Sequence, residues 1–235
     1  MNITDKTILI TGAGRGIGRA LVDEALERGA RQVYAGVRRT FTHPDPRVIP
    51  VMLDVTDPEQ IQQAAAAVTT LDILINNAGV AWYDDLSDRA MIDRHLAVNL
   101  FGTYALSRAF LPALIRSQGA IVNNLSMTAL ASLPPIASYS ISKAAAFSLT
   151  QSLRAFLAGQ GVRVHAVLTG PTDTDMTKGF DIPKSTPQLI AQGIFDGVEK
   201  GVEDIFPDPM SGSVEESWRN SAMKQMEQQN ASFVA

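Results

Sequence analysis

Tyr139-Ser140-Ile141-Ser142-Lys143 sets a phenol and an ammonium four residues apart. On a helix that spacing puts both on one face, about 6 Å apart along the axis. Alone it is a weak signal, since two surface residues would show it too. Its company gives it meaning. Ser126 stands thirteen residues upstream, just past the apolar run Ala120–Leu125, at the carboxyl edge where open α/β sheets bind ligands. Asn76-Asn77-Ala78-Gly79 follows a second apolar run, Ile73–Ile75, at that same edge, and Asn99 falls inside the long helical segment after it.

A further group works through its backbone. Thr7–Ile10 leads into Thr11-Gly12-Ala13-Gly14-Arg15-Gly16-Ile17-Gly18 and then a helix. The dinucleotide pattern GxGxxG fails, because Ile17 stands where it needs glycine. The physics does not fail: a strand enters a turn whose missing side chains let the backbone approach a pyrophosphate at a helix's positive end. A plain glycine-rich turn is the alternative, and a Walker A loop is excluded because no Gly-Lys-Ser/Thr follows. About twenty residues on, a carboxylate would bind the ribose 2′-hydroxyl of NAD. Here no acid occurs between Glu27 and Asp45, whereas Arg28, Arg31, Arg38 and Arg39 do. A guanidinium fork matches a 2′-phosphate, and Arg15 can reach the same phosphate from the other side. The expected cofactor is therefore NADP(H), bound in part by Arg15, Arg38 and Arg39.

The elements that must hold these groups alternate along the chain. Strand-like runs occur at Thr7–Ile10, Gln32–Val37, Val48–Leu53, Ile73–Ile75, Ala120–Leu125, Val162–Leu168 and Ile205–Phe206. Helix-length segments separate most of them: Ile17–Arg28, Pro58–Val68, Asp88–Arg116, Tyr139–Ala158 and Thr186–Lys200. Unalternating apolar strands between helices imply parallel βαβ units buried on both faces. Asp57 before Pro58 is an N-cap signal, and Gly29 is a stop signal. The spacing predicts one doubly wound α/β (Rossmann) domain over 1–235, with about seven parallel strands and helices on both faces. A flap is expected at about 171–200. A C-terminal tail at about 212–235 places Val214, Trp218 and Ala222 on one helical face, with Met223 and Met226 beside it.

Composition narrows the classes. With no cysteine among 235 residues, thiolate metal sites and cysteine nucleophiles are excluded, which suits a cytoplasmic protein. The three histidines, His43, His95 and His165, are widely separated, so no metal site is expected. A net charge of −4 argues against nucleic-acid binding. No signal peptide is expected from Met1–Lys6. Ser117–Ser142 lacks charges and is long enough for a bilayer, yet it carries Asn123, Asn124 and Pro134-Pro135, so it reads as a strand and loop rather than a span.

Taken together these motifs resemble the short-chain dehydrogenase/reductase family over essentially the whole chain. They are TGxxxGxG at Thr11–Gly18, Asp54-Val55, NNAG at Asn76–Gly79, Asn99, Ser126, YxxxK at Tyr139–Lys143, and Gly170-Pro171-Thr172-Asp173-Thr174. The resemblance implies a catalytic tetrad of Asn99, Ser126, Tyr139 and Lys143. It assigns cofactor contacts to Gly12, Gly14, Arg15, Gly16, Ile17, Gly18, Asp54, Val55, Asn77, Ala78, Gly79, Gly170, Thr172 and Thr174, with Tyr139 and Lys143 touching both sides. Tyr139 would act as general acid/base, its pKa drawn down from about 10 by Lys143. Ser126 would hold a carbonyl oxygen, and Asn99 would bend its helix and hold a proton-relaying water. Two departures stand out. Thr169 replaces the usual proline, which is expected to loosen the turn, and Leu125 replaces a serine.

The resemblance implies an NADP(H)-dependent carbonyl reductase or alcohol dehydrogenase acting on a small ketone, aldehyde or alcohol. Trp82, Tyr83, Met127, Leu130, Leu133, Met176 and Phe180 would make that pocket apolar or aromatic. A homo-oligomer, dimer or tetramer, would pair through the helices at Asp88–Arg116 and Tyr139–Ala158; alternatively Ala144–Ala146 and Leu149–Leu157 face this subunit's own sheet. The rivals are a β-ketoacyl reductase acting on carrier-linked substrates, which needs a basic docking patch, and a catalytically silent NADP-binding regulator, which predicts a broken tetrad. No membrane or nucleic-acid partner is expected.

Overall fold

The computed structural model describes residues 1–234. Its strands are β1 (Thr7–Thr11), β2 (Gln32–Val37), β3 (Val48–Met52), β4 (Ile73–Asn76), β5 (Ala120–Asn124), β6 (Arg163–Val167) and β7 (Asp204–Ile205). They form one parallel seven-stranded sheet in the order β3-β2-β1-β4-β5-β6-β7. Every residue of β1, β4 and β5 is buried, which is why those runs read as continuously apolar rather than alternating. Pro50 sits in the edge strand β3, where a missing ladder donor is tolerated.

Helices α1 (Gly16–Glu27) and α6 (Pro187–Lys200) cover one face, with Leu21, Val22, Ile190, Ile194 and Phe195 wholly buried. The other face lies under α2 (Pro58–Ala67), α4 (Thr103–Ser117) and α5 (Ala137–Ala158), through Ile61, Leu106, Phe110, Leu114 and Leu157. Each such side chain contributes roughly 1.5–3 kcal/mol by leaving water. The local signals act as read. Asp57 accepts hydrogen bonds from the Glu59 and Gln60 amides at the start of α2, and Gly29 adopts φ +81° just past α1.

Between α3 (Arg89–Leu96) and α4 the helix widens into a π turn, Ala97–Gly102, that contains Asn99. Asn99, expected to bend this helix, lies within that turn, and such π turns concentrate at functional sites. The continuous run Arg89–Ser117 is long and apolar enough by composition to cross a membrane. Its apolar side is taken up by this subunit's sheet through Leu106, Phe110 and Leu114. The charge-free stretch Ser117–Ser142 is β5, a loop and the first turns of α5.

The C-terminal region departs from expectation. Val214 and Trp218 pack on a small third core of Leu125, Phe147, Leu168 and Phe206, but Ala222 does not continue their helix. After α7 (Pro209–Gly212), α8 (Glu215–Arg219) ends, and α9 (Ala222–Ala231) restarts because the Ser221 hydroxyl accepts the Lys224 amide hydrogen as a new N-cap. The restart turns Met223 and Met226 outward and Lys224 inward. In the expected flap only about residues 171–186 are irregular; the remainder is α6.

Candidate active site

Strand β1 lies next to β4, and their following elements leave toward opposite faces, which opens a crevice at the sheet's carboxyl edge. Thr11 ties that crevice together. Its hydroxyl oxygen accepts the amide hydrogens of Asn77 (3.0 Å) and Ala78 (2.9 Å). Asn77 Nδ2 donates to the Thr11 carbonyl at 2.9 Å, and Asn77 Oδ1 accepts from Asn124 Nδ2 at 3.0 Å. The ends of β1, β4 and β5 are thereby sewn at one level. In the sequence Thr11 is only the first letter of the glycine motif, and a hydroxyl at a strand's carboxyl end is its one visible signal.

The glycine loop is a cradle that side chains would fill. Gly12 and Gly16 take φ +67° and +53°, and a Cβ on Gly18 would lie 2.1 Å from the Gly12 carbonyl oxygen. Ile17 instead packs inward on the first core. No acidic residue occupies the first turn of α1, so its positive end faces the loop unopposed. The shape and sign suit a pyrophosphate. Thr174, across the crevice, is 3.1 Å from where a Gly16 Cβ would sit.

The four arginines part company. Arg28 is bound to Glu24, Asp196 and Glu199, and Arg31 donates to Thr7 Oγ1; both are structural, contrary to their grouping with the cofactor arginines. Arg38 and Arg39 are exposed at the carboxyl end of β2, Arg38 lying 4.0 Å from Asp54. Arg15 pairs with Asp175 of the flap at 2.7 Å. Burial raises the Asp54 pKa, but bonds from Thr56 and the charge of Arg38 outweigh it and hold the carboxyl below its usual range. Val55 is buried against the π turn, where a Cβ on Gly102 would come within 2.8 Å of it.

Asn99, Ser126, Tyr139 and Lys143 are all buried and are delivered by the π turn, the end of β5 and the first turns of α5. The Asn99 amide donates to the Val80 carbonyl (3.0 Å) and Ser142 Oγ (2.9 Å), and its oxygen accepts the Val80 amide hydrogen (3.0 Å). Lys143 Nζ donates to the Asn124 carbonyl at 2.7 Å and stands 5.6 Å from the Tyr139 ring centroid. A Cβ on Gly79 would sit 3.3 Å from Asn99 Oδ1 and 3.8 Å from Lys143 Nζ, so glycine there keeps the space open.

The electrostatics differ from expectation. Burial pushes the Tyr139 phenol up to about 12, and the influence that opposes it is hydrogen bonding with Ser126 rather than the charge of Lys143. Burial pulls Lys143 itself down to about 8. Both groups have lost water, so each resists its charged form.

Around the tetrad, Thr169 tightens the turn it was expected to loosen. Its hydroxyl donates to the Leu125 carbonyl, and its own carbonyl accepts the Met127 amide hydrogen. Gly170 donates its amide hydrogen to Asp208 at 2.8 Å, and a Cβ there would meet that carboxylate at 2.6 Å. Asp208 also caps α7 through the Met210 and Ser211 amides. The sequence reading missed it, although Asp208-Pro209 carries the same cap signal as Asp57-Pro58. Thr172 is buried nearby.

Among the residues expected to form the substrate pocket, Tyr83 stacks on Phe180 of the flap, with centroids 5.2 Å apart. Trp82, Leu133 and Met176 are exposed, whereas Leu130 packs on the third core. A separate cleft of about 510 Å³, lined by Asp84, Asp85, Leu86, Ser132, Pro134, Pro135 and Ala137, lies just beyond Tyr83 and Leu133 in the chain and includes none of the four buried site residues. Asp84 accepts hydrogen bonds from the Ser138 amide (3.1 Å) and hydroxyl (2.9 Å), capping the helix that carries Tyr139 from outside.

Comparisons with known proteins point one way. A family model described as short chain dehydrogenase matches residues 6–184. A short chain dehydrogenase of Monascus ruber is 33% identical over 202 residues, covering 77% of this chain and 67% of its own. A 3-oxoacyl-[acyl-carrier-protein] reductase of Vibrio cholerae is 32% identical over 202 residues, covering 80% and 82%. A crystal structure of a short chain dehydrogenase from Burkholderia cenocepacia in complex with NADP is 37% identical, covers 97% of this chain and 98% of its own, and superposes with a TM-score of 0.89.

Proposed function

The chain belongs to the short chain dehydrogenase family of oxidoreductases, and from that premise we propose that it reduces a ketone or aldehyde reversibly with NADP(H). The carrying observation is the meeting of Tyr139, Lys143 and Ser126 beside a glycine cradle flanked by Arg38 and Arg39. The Burkholderia relative, crystallised with NADP, supports the choice of cofactor. Gly12, Gly14, Gly16, Ile17 and Gly18 would hold the pyrophosphate, Arg15, Arg38 and Arg39 the 2′-phosphate, and Asp54 and Val55 the adenine. Asn77, Ala78 and Gly79, with Gly170, Thr172 and Thr174, would hold the nicotinamide half. When bound, NADPH supplies the hydride.

The chain's own residues supply the proton and the geometry. Because burial keeps the Tyr139 proton on through the neutral range, the phenol serves as the acid that protonates the developing alkoxide. Ser126 donates to the carbonyl oxygen and holds it beside that phenol. Lys143, steadied by the Asn124 carbonyl, lowers the cost of the phenolate left behind whenever its ammonium is charged. Asn99 fixes Val80 and Ser142, and so the walls on both sides of the tetrad. The reverse reaction needs the phenol deprotonated and should therefore rise with pH.

The stacked Tyr83 and Phe180 and the exposed Trp82, Leu133 and Met176 support an aromatic or alkyl carbonyl substrate. The exposed Phe101 of the π turn, Tyr104 of α4, and Ile141 and Phe156 of α5 support a homo-oligomer, and cytoplasmic residence belongs to the same reading. The Vibrio relative favours β-ketoacyl reduction as the second reading. A panel of ketones and aldehydes, including acetoacetyl thioesters, followed by NADPH consumption tests both. Tyr139→Phe should lose at least about 100-fold in turnover while still binding NADPH; undiminished turnover would sink the mechanism.

A further inference from the structure

We infer that His95 is a positioning residue: standing between Tyr139 and Trp82, it fixes Trp82 as the outer wall of the substrate side and thereby sets the selectivity for bulky carbonyl substrates. This rests on the reductase reading above and deepens it.

His95 lies at the end of α3, wholly buried, with both ring nitrogens engaged by backbone. Nδ1 is 2.7 Å from the Met91 carbonyl oxygen, one turn back, and Nε2 is 3.1 Å from the Trp82 amide nitrogen. A carbonyl oxygen only accepts and an amide N–H only donates. The ring therefore carries its hydrogen on Nδ1 and offers a lone pair at Nε2. One imidazole thus pins a loop outside its own helix, and the group it pins would otherwise be a partly buried amide without an acceptor.

Three rings then stand in a row. The His95 centroid is 5.0 Å from that of Trp82 at 68°, and 6.4 Å from that of Tyr139 at 69°, edge-to-face arrangements that aromatic pairs prefer. Trp82 in turn begins the segment that meets the flap through Tyr83 and caps α5 through Asp84. His95 stands between the phenol and the indole, and the indole is half exposed toward solvent, so its placement sets the outer limit of the room on this side of the phenol. A lone histidine in a helix reads as core from sequence; the bond across to Trp82 gives it a second role.

The full-length enzyme, His95→Gln, His95→Asn, His95→Phe and Tyr139→Phe are compared in NADPH oxidation with 2-naphthaldehyde and with propanal. Gln places its carbonyl oxygen three bonds from Cβ, as Nε2 is placed, whereas the Asn amide replaces only Nδ1. His95→Asn and His95→Phe should raise KM for 2-naphthaldehyde about tenfold, with kcat and the KM for propanal changed less than about threefold. His95→Gln should recover most of that KM. With 5-fluorotryptophan incorporated, the ¹⁹F resonance of Trp82 should move in the Asn and Phe variants, while that of Trp218, in the third core, stays. Wild-type KM for 2-naphthaldehyde in His95→Asn and His95→Phe overturns the inference. So do equal losses on both aldehydes in all three variants with both resonances shifted, since that marks general loosening. In either case a silent Tyr139→Phe leaves the reductase reading standing. A fully active Tyr139→Phe, or a wild-type enzyme that turns over neither aldehyde nor any ketone or thioester of the panel above, removes that reading and this one with it.

Discussion

Lys143 and Lys224 are almost equally hidden, at 5% and 6% exposure, yet their pKa values move in opposite directions. Lys143 has a neutral carbonyl at 2.7 Å for company, and burial pulls its ammonium down to about 8. Lys224 lies 2.7 Å from Asp204, 2.9 Å from Glu203 and 3.0 Å from Glu227. Burial and nearby Arg154 push its pKa down, but the carboxylates, Asp204 foremost, outweigh them and hold it above the ordinary value. Arg154 completes that cluster by pairing with Asp204 and Glu227, and Trp218 donates to Asp204 at 2.9 Å. A charge surrounded by counter-charges serves the architecture. One buried without them is strain that the fold supports, and such strain collects where chemistry is done.

Replacing Lys143 by Met sharpens this contrast most. Turnover should fall by about 10²–10⁴-fold, while the unliganded protein becomes more stable at pH 7. A lysine whose folded pKa lies near 8, against a reference of 10.5, costs stability in full below pH 8. Between the two values the unfolded chain binds more protons than the folded one, so wild-type stability climbs as pH rises from about 8 to 10.5. The penalty is at most about 3 kcal/mol. Urea unfolding across pH 7–10.5 should show the Met variant ahead at the low end and the advantage gone at the top. A wild-type curve without that climb breaks the comparison.

Lys224→Met should do the reverse. With Glu203, Asp204 and Glu227 left facing Arg154 alone, stability at pH 7 should drop by about 3 kcal/mol, read by the same unfolding curves. The folded fraction should keep its turnover.

The smallest effect extends the contrast to arginines. Arg28 is enclosed by Glu24, Asp196 and Glu199, whereas Arg38 is exposed and, among the described residues, has only Asp54, 4.0 Å away. Arg38→Asp should lower the ratio of NADP to NAD affinity by about tenfold, read by fluorescence titration of the reduced cofactors. Thermal stability should hardly change. An unchanged ratio would remove Arg38 from the cofactor assignment.

Residues close in the chain were the ones the sequence could place. Strand and helix order, the caps at Asp57 and past Arg28, the turn built on Gly12 and Gly16, and the four-residue step from Tyr139 to Lys143 all follow from backbone sterics and helical period. Those rules act over a few residues, so type and spacing suffice. The doubly wound class followed too, because parallel strands need helical crossovers and buried strands need apolar runs. The sheet's tertiary arrangement decided the rest. It brought Thr11 to Asn77 and Asp208 to Gly170, sent Arg28 and Arg31 away from the cofactor edge, and gathered Glu203, Asp204 and Glu227 around Lys224. It also decided the sign of the Tyr139 shift, because a neighbour four residues away is visible in a sequence, whereas the loss of water around a side chain depends on every element packed over it.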